Sequence, residues 1–409
     1  MLEKVILVIF DGLGDRPVRE LKNLTPLEAA HTPNMDKFSK ASECGVMYTL
    51  GRGVVPGSDT AHLQILGYDP GTYYNGRGPF EAAGVGLTLQ PGDVAFRANW
   101  GTVDDNLKVI DRRAGRIDRT APLVEALDGI EIDGVKFVVK ASTGHRAVLV
   151  MKGKGLSSSI PDIDPHKEGR AVDLSSPIDH LDEEAVFTLT VLRKFLKEAH
   201  GILKNHELNK ARELKKEPPA NFLLVRGAGK YFKIESFREK FGMKACCIAG
   251  GGLYKGVASH IGMDLIDVKG ATGKKDTNIR GKFEKAVELR REYDFIFVHV
   301  KAADNFGHDG DYSGKKEFIE RIDEAFKEFD KLGEETLLVV TADHSTPCGL
   351  KEHSADSVPI MFHGTGVRTD NVNAFNERAC TNGGLGTLSG KYLMNHAWNL
   401  LGLLKKYGS

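Results

Sequence analysis

The chain has 409 residues, 41% of them hydrophobic and 27% charged, enough to fill more than one core and to build two or three domains, or one large domain carrying an insertion. Its 56 basic and 56 acidic residues cancel, so no global field draws it to nucleic acid or an anionic membrane, and affinity for phosphate must come from local clusters. Neither nucleic acid nor a membrane is an expected partner. The first predicted element is a strand, Val5–Phe10. Its apolar run is short for a signal peptide, and Asp11-Gly-Leu-Gly stands where a small-residue cleavage site would lie. No apolar stretch approaches the roughly 18 residues that span a bilayer. The five cysteines (Cys44, Cys246, Cys247, Cys348, Cys380) are odd in number and form no CxxC pair, which points to a reducing, cytoplasmic setting.

Three further runs, Lys244–Ile248, Phe295–Val300 and Leu337–Thr341, are of strand length and mostly apolar throughout, the mark of a parallel sheet covered on both faces. Helical patterns lie between them at Gly281–Tyr293 and Lys315–Leu332, the latter with apolar Phe318, Ile319, Ile322, Ala325, Phe326 and Phe329. Strands alternating with helices predict a doubly wound, mostly parallel α/β sheet. The middle of the chain differs. It has alternating segments at Phe137–Val139 and Ala147–Met151, a polar loop at Gly153–Pro177, and a charged amphipathic helix from about Leu181 to Lys216. Pro218-Pro219 ends that helix, and a strand follows at Asn221–Val225. The expected organisation is a catalytic core of residues 1–90 plus 230–409, with a smaller α+β domain, residues 91–229, inserted into it.

Ligands in such sheets bind beyond the carboxyl ends of the strands. Asp11 follows the first strand there, Asp304-Asn-Phe-Gly-His308 follows Phe295–Val300, and Asp343-His344 follows Leu337–Val340; His353 stands nine residues beyond His344. Each has an ordinary explanation alone: Asp at a strand end is a common turn former, and a lone His is usually a surface group. Together they put several carboxylate and imidazole ligands at one predicted edge. Mixed Asp/His ligation suits zinc, manganese or cobalt better than calcium, and the number of ligands exceeds what one catalytic ion with open positions needs, so two ions are expected. Ser58, in Pro56-Gly-Ser-Asp-Thr-Ala-His62, lies at the start of a predicted helix. It is either an N-cap or a nucleophile held at a helix end whose free N–H groups suit a phosphate; the ligand set favours the nucleophile.

In order and spacing, Asp11-Gly, the Ser58 turn, Asp304-x-x-x-His308, Asp343-His344 and His353 resemble the metalloenzymes of the alkaline phosphatase superfamily. The segments His299–Asp311, Asp111–Ile117 and Asp164–Gly169 extend the resemblance to the archaeal-type cofactor-independent phosphoglycerate mutases. It implies an alkaline-phosphatase-like fold and one ion held by Asp11, Asp343, His344 and Ser58. A second ion would be held by Asp304, His308 and His353. Manganese heads the implied metals, with zinc, cobalt or magnesium as alternatives, and no 2,3-bisphosphoglycerate is required. The implied partner is a small-molecule phosphoglycerate, in a chain that could form a homo-oligomer. Arg226, which opens Arg-Gly-Ala-Gly229, and Lys255, in a glycine-rich loop, are the first candidates to hold phosphate or carboxylate. Arg112, Arg113, His145 and Arg146 follow, and His166 is a weaker one.

The resemblance further implies that Ser58 takes the phosphoryl group and returns it to the other hydroxyl of glycerate, while the inserted domain acts as a lid that keeps water from phosphoserine. A phosphatase or phosphodiesterase of the same superfamily is the alternative enzyme; a non-catalytic phosphometabolite sensor would have no need of Ser58.

Overall fold

The computed structural model describes residues 1–175 and 182–408. They form two compact units, Met1–Tyr74 with Glu235–Ser409, and Asn75–Ile234. In chain order the strands are β1 (Lys4–Phe10), β2 (Ser42–Tyr48), β3 (Val94–Val103), β4 (Val109–Asp111), β5 (Glu131–Ile132), β6 (Val135–Ala141), β7 (Arg146–Lys152), β8 (Phe222–Lys230), β9 (Ala245–Ile248), β10 (Asp264–Leu265), β11 (Phe295–Val300), β12 (Thr336–Thr341), β13 (Val358–His363) and β14 (Gly386–Ser389).

The first unit is built on an eight-stranded sheet in the order β10-β9-β11-β1-β12-β13-β2-β14. Pairing is parallel from β10 to β12. Only β13 runs against its neighbours β12 and β2, and β14 rejoins parallel to β2. The chain is thus α/β with a mostly parallel sheet. All six residues of β11 and of β12 are buried, so both faces are covered and the apolar runs need no alternation. Helices Ile279–Leu289 and Tyr312–Phe326 supply part of the cover: Phe283 and Phe326 meet Phe10 of β1 at ring-centroid distances of 6.4 and 6.5 Å. Each such ring contributes about 1.5–3 kcal/mol by leaving water. The register aligns Phe10 with Val300 and Ile9 with Thr341. The residues that follow, Asp11, Lys301 and Ala342-Asp343, therefore leave three adjacent strands at one edge.

The second unit is an antiparallel sheet in the order β4-β3-β7-β6-β5, with β8 on the other side of β3. Phe96, Trp100, Phe137, Val139, Leu149 and Met151 share a core with Leu189, Leu192, Phe195 and Leu196 of the helix Glu183–Asn205. Phe137 and Phe195 stack at 4.0 Å. A smaller cluster joins Ala95, Val148 and Val150 to Ala82 and Leu89.

That second cluster moves the boundary. The sequence places residues 75–90 with the core, yet the helix Gly78–Gly84 buries Ala82 against β3 and β7, so the inserted unit begins at Asn75 and ends at Ile234. The long helix expected to Lys216 is two helices, Glu183–Asn205 and Glu207–Leu214. His206 takes an extended backbone between them, and its side chain accepts the Leu208 N–H as a cap. Ser176, Pro177 and Leu181, parts of the expected loop and helix, lie outside the described residues. Among the described residues no helix is long and apolar enough to cross a membrane.

Candidate metal centre and nucleophile

Gly12 makes the strand ends converge. Its φ is +66°, and a Cβ there would lie 2.7 Å from the Asp304 Cα and 2.7 Å from the Thr346 Oγ1. Bare backbone at this point lets the Gly12 N–H donate to the Asp343 Oδ1 (3.1 Å) and the Asp304 N–H to the Asp11 carbonyl (2.9 Å). Asp304 lies in the first turn of the helix Ala302–Asp309, where the helix dipole favours a carboxylate. His308 stands four residues on and so shares its face. His353 is oriented by its Nδ1, 2.8 Å from the Pro56 carbonyl, which also fixes the turn before Ser58.

Ser58 is the first residue of the helix Ser58–Ile65, and Gly57 is the N-cap, with no side-chain cap bond. The capping explanation for Ser58 therefore fails, and its hydroxyl is free for other work. The Ser58 Oγ lies 3.3 Å from the His344 Nε2. That nitrogen is also 3.1 Å from the Asp343 Oδ2 and 3.8 Å from the Asp11 Oδ1. On the other side of Asp304, its Oδ1 lies 3.2 Å from the His308 Nε2 and 3.5 Å from the His353 Nε2. The His344 and His353 rings stack at 3.6 Å. Asp11, Ser58, Asp304, His308, Asp343, His344 and His353 thus form one continuous cluster. Within it, ligand atoms of Asp304, His308 and His353, and of Asp11, Asp304 and His344, fall within 4.8 Å of one another. Asp304 belongs to both groups.

The residues fit divalent cations. Three carboxylates are buried together, and among the described residues none donates a hydrogen bond to the Asp343 Oδ2, which has the His344 Nε2 3.1 Å away. A buried anionic oxygen without a donor is costly unless a cation faces it. The one ammonium among them is Lys301, whose Nζ lies 2.7 Å from the Asp304 Oδ2 and 3.4 Å from each Asp11 oxygen. Burial works to raise the Asp11 and Asp304 pKa values, but Lys301, helped by His299 at Asp11 and by His308 and His353 at Asp304, holds both well below the carboxylate range. The hydrogen bond that His308 donates to Asp304 lifts the His308 pKa to about 9. A metal ion must displace that proton, since only neutral imidazole ligates. Metal affinity at Asp304, His308 and His353 is therefore expected to rise about tenfold per pH unit up to roughly pH 9 and level off above it. Calorimetric titration of metal-stripped protein from pH 7 to 10 checks this; a flat profile below pH 9 would remove the Asp304–His308 coupling.

Several site residues escaped the sequence. His299 Nε2 sits 3.0 Å from the Asp11 Oδ2, its ring stacked at 3.5 Å on Tyr254. Burial lowers its pKa to about 4, so it is a neutral donor. The Thr346 hydroxyl donates to the Asp304 Oδ1 (2.8 Å) and lies 3.1 Å from the His344 Nδ1, so it orients both. His62 Nδ1 is 2.6 Å from the Ser58 carbonyl and 3.6 Å from the Asp343 Oδ2. The one usable signal was Lys301, a cation between a buried strand and an acidic ligand three residues on. The Lys255 ammonium bonds Asp267 at 2.6 Å.

The inserted unit carries its own basic cluster. Arg112 forks onto Asp164 through Nε (3.1 Å) and Nη2 (2.5 Å). Arg226 lies 3.8 Å from the same carboxylate and 3.2 Å from the His166 Nδ1, while the His166 Nε2 meets Asp162 at 2.9 Å. Arg113 and Arg146 are exposed. Burial, with Arg146, Arg113 and Arg97 nearby, lowers His145 to about 4.

Known proteins share this architecture. The family model of the metalloenzyme superfamily matches residues 3–400. The chain is 50% identical to 2,3-bisphosphoglycerate-independent phosphoglycerate mutase 1 of Methanocaldococcus jannaschii, over 99% of both chains. It is 47% identical to the 2,3-bisphosphoglycerate-independent phosphoglycerate mutase of Methanococcus aeolicus, over 99% of this chain and 100% of that one. Among solved structures, the cofactor-independent phosphoglycerate mutase from Thermoplasma acidophilum is 38% identical with a TM-score of 0.72, covering 98% of this chain and all of its own. A protein from Pyrococcus horikoshii is 37% identical with a TM-score of 0.86 over the whole of both chains. The chain belongs to the metalloenzyme superfamily and, within it, to the archaeal 2,3-bisphosphoglycerate-independent phosphoglycerate mutases.

Proposed function

We propose that this chain interconverts 3-phosphoglycerate and 2-phosphoglycerate through a phosphoserine at Ser58. The observation that carries the proposal is the Ser58 hydroxyl, uncapped at a helix start and 3.3 Å from His344 in a cluster of three buried carboxylates. Two divalent ions, manganese by preference, would be held by Asp11, Asp343, His344 and Ser58, and by Asp304, His308 and His353. Bound there, they supply Lewis-acid charge that favours the serine alkoxide and offsets charge on the phosphoryl oxygens.

The side chains supply the rest. The Ser58 oxygen attacks phosphorus, and the phosphoryl group passes to serine while the substrate oxygen leaves with glycerate. The helix Ser58–Ile65 opens on backbone N–H groups, a kind of site that suits phosphoryl oxygens. The Lys301 ammonium adds a permanent positive charge beside Asp11 and Asp304. Retained glycerate presents its other hydroxyl, and the transfer runs backwards. His299 and Thr346 hold the carboxylates of Asp11 and Asp304 in place. Arg226, Arg146 and their neighbours in the inserted unit are the proposed holders of the substrate's remaining charge. Five free, buried cysteines suit a reducing cytoplasm, where we place the reaction.

Incubation with 3-phosphoglycerate and manganese, followed by separate assays of 2-phosphoglycerate and free phosphate, is the test. Formation of 2-phosphoglycerate with little free phosphate is expected. Free phosphate as the main product would replace the mutase by a hydrolase and remove the lid role proposed for the insert.

A further inference from the structure

Lys315 is a lysine with no exposed surface. It lies near the start of the helix Tyr312–Phe326, the end at which the helix dipole disfavours a cation, and its side chain is completely buried. An ammonium out of water is costly unless each of its hydrogens finds an acceptor. All three do: Nζ donates to the Gly14 carbonyl (3.0 Å), the Asp15 Oδ2 (2.8 Å) and the Thr346 carbonyl (3.0 Å).

These acceptors belong to the two loops that carry ligands of the metal centre. Gly14 and Asp15 follow Asp11 beyond β1, and Thr346 follows Asp343 and His344 beyond β12. The loops also join each other: the Thr346 N–H donates to the Gly14 carbonyl (3.0 Å), and the Cys348 N–H to the Asp15 carboxylate (3.1 and 3.2 Å). A third ligand segment meets them here. The helix Ala302–Asp309, which carries Asp304 and His308, turns at Gly310 into the helix of Lys315. A Cβ at Gly307 would collide with the Thr346 carbonyl, so bare backbone there leaves room for the oxygen that Lys315 holds.

Thr346 carries this arrangement into the site. Its hydroxyl donates to the Asp304 Oδ1 (2.8 Å) and lies 3.1 Å from the His344 Nδ1. Asp304 and His344 are the proposed holders of different ions. A buried ion pair adds little net stability over apolar residues of similar volume, so stability alone gives no reason for Lys315 and Asp15. We propose that Lys315 is a positioning residue for the metal centre. By fixing the Thr346 main chain against Gly14 and Asp15, it sets the separation of Asp304 and His344, and with it the spacing of the two ions. This rests on the two-ion reading above and adds to it a residue outside the ligand set.

The test compares the full native chain with Lys315→Met, which removes the ammonium, and with Lys315→Met/Asp15→Asn, which also removes the carboxylate left without its cation. Breaking a buried pair from one side is strongly destabilising, whereas removing both charges is not. The single variant is therefore expected to melt below native, and the double variant to recover most of that loss. Manganese is titrated by calorimetry into each metal-stripped chain. The loaded chains are then examined by electron paramagnetic resonance, in which two neighbouring manganese ions couple and lose the hyperfine pattern of an isolated ion. Every measurement is made below the lowest midpoint, where all three chains are folded. The native chain is expected to bind two ions and give the coupled spectrum. Both variants are expected to bind the second ion about 10- to 100-fold more weakly, the usual loss when a group that orients a ligand is removed, and to show altered coupling once both ions are bound. Native affinity and a native spectrum in the double variant would make Lys315 no more than the charge partner of Asp15 and overturn the proposal, with the two-ion centre left standing. A native chain that binds fewer than two ions would remove the two-ion reading itself, and the role of Lys315 with it, whatever the variants do.

Discussion

Ser58→Ala is expected to lower 2-phosphoglycerate formation by about 10,000-fold or more, the scale seen when a nucleophile is removed from a unit that acts together. The same change is expected to leave the fold intact. Ser58 sits at the first helical position, its hydroxyl caps nothing, and alanine is the best helix former, so the helix Ser58–Ile65 loses no backbone support. The Ser58 carbonyl keeps its contact with the His62 Nδ1 (2.6 Å), since that bond involves the main chain. Cluster geometry at His344 also survives, because its Nε2 stays 3.1 Å from Asp343. The loss in rate can then be read as chemistry. Three measurements are needed: turnover, the thermal midpoint, and acid-quenched transfer of labelled phosphoryl to protein. Native chain is expected to trap label on serine and the variant to trap none. A variant that keeps more than about 1% of turnover, or that still takes label, would move the nucleophile elsewhere.

What the sequence revealed and what it hid divide along physical lines. β1, β11 and β12 could be read because strands buried on both faces spell continuous apolar runs, and each is followed within a few residues by an acid that has no place in a core. β13 could not be read so easily: Pro359 interrupts it, and the run Val358–His363 belongs to the sheet only through antiparallel partners far away in sequence. The seven cluster residues came from strand ends and short spacings, which are local. His299 and Thr346 were hidden because their importance lies in contacts to Asp11 and Asp304, and nothing local distinguishes a buried histidine in a strand from a core residue. The inserted unit's start was misplaced for a similar reason. The helix Gly78–Gly84 looks like any short helix until its Ala82 is seen against Val148 and Val150.

Asp343→Asn is expected to separate ligand from scaffold by reversing sign with metal. The Asp343 Oδ1 accepts the Gly12 N–H (3.1 Å) and the His344 N–H (3.0 Å), and the amide oxygen of asparagine can keep both. The Oδ2, which lies 3.1 Å from the His344 Nε2, and the negative charge are lost. In metal-stripped protein that charge is a liability, since Lys301 contacts Asp11 and Asp304 and leaves Asp343 beside imidazoles, His344 at 3.1 Å and His62 at 3.6 Å. The variant is therefore expected to melt above native there. With metal at about 100 times its dissociation constant, native protein gains about 2.7 kcal/mol, or about 5–10 °C for a unit of this size. The variant, short of one anionic ligand, gains less and melts below native. Activity is expected to fall on the order of 1,000-fold, corresponding to about 4 kcal/mol of lost charge stabilisation at the Ser58 oxygen. Paired thermal scans with and without manganese, alongside elemental analysis, decide the matter. If Asp343→Asn melts below native by the same margin in both scans, Asp343 is a structural acid, and the ion proposed beside Ser58 loses its anchor.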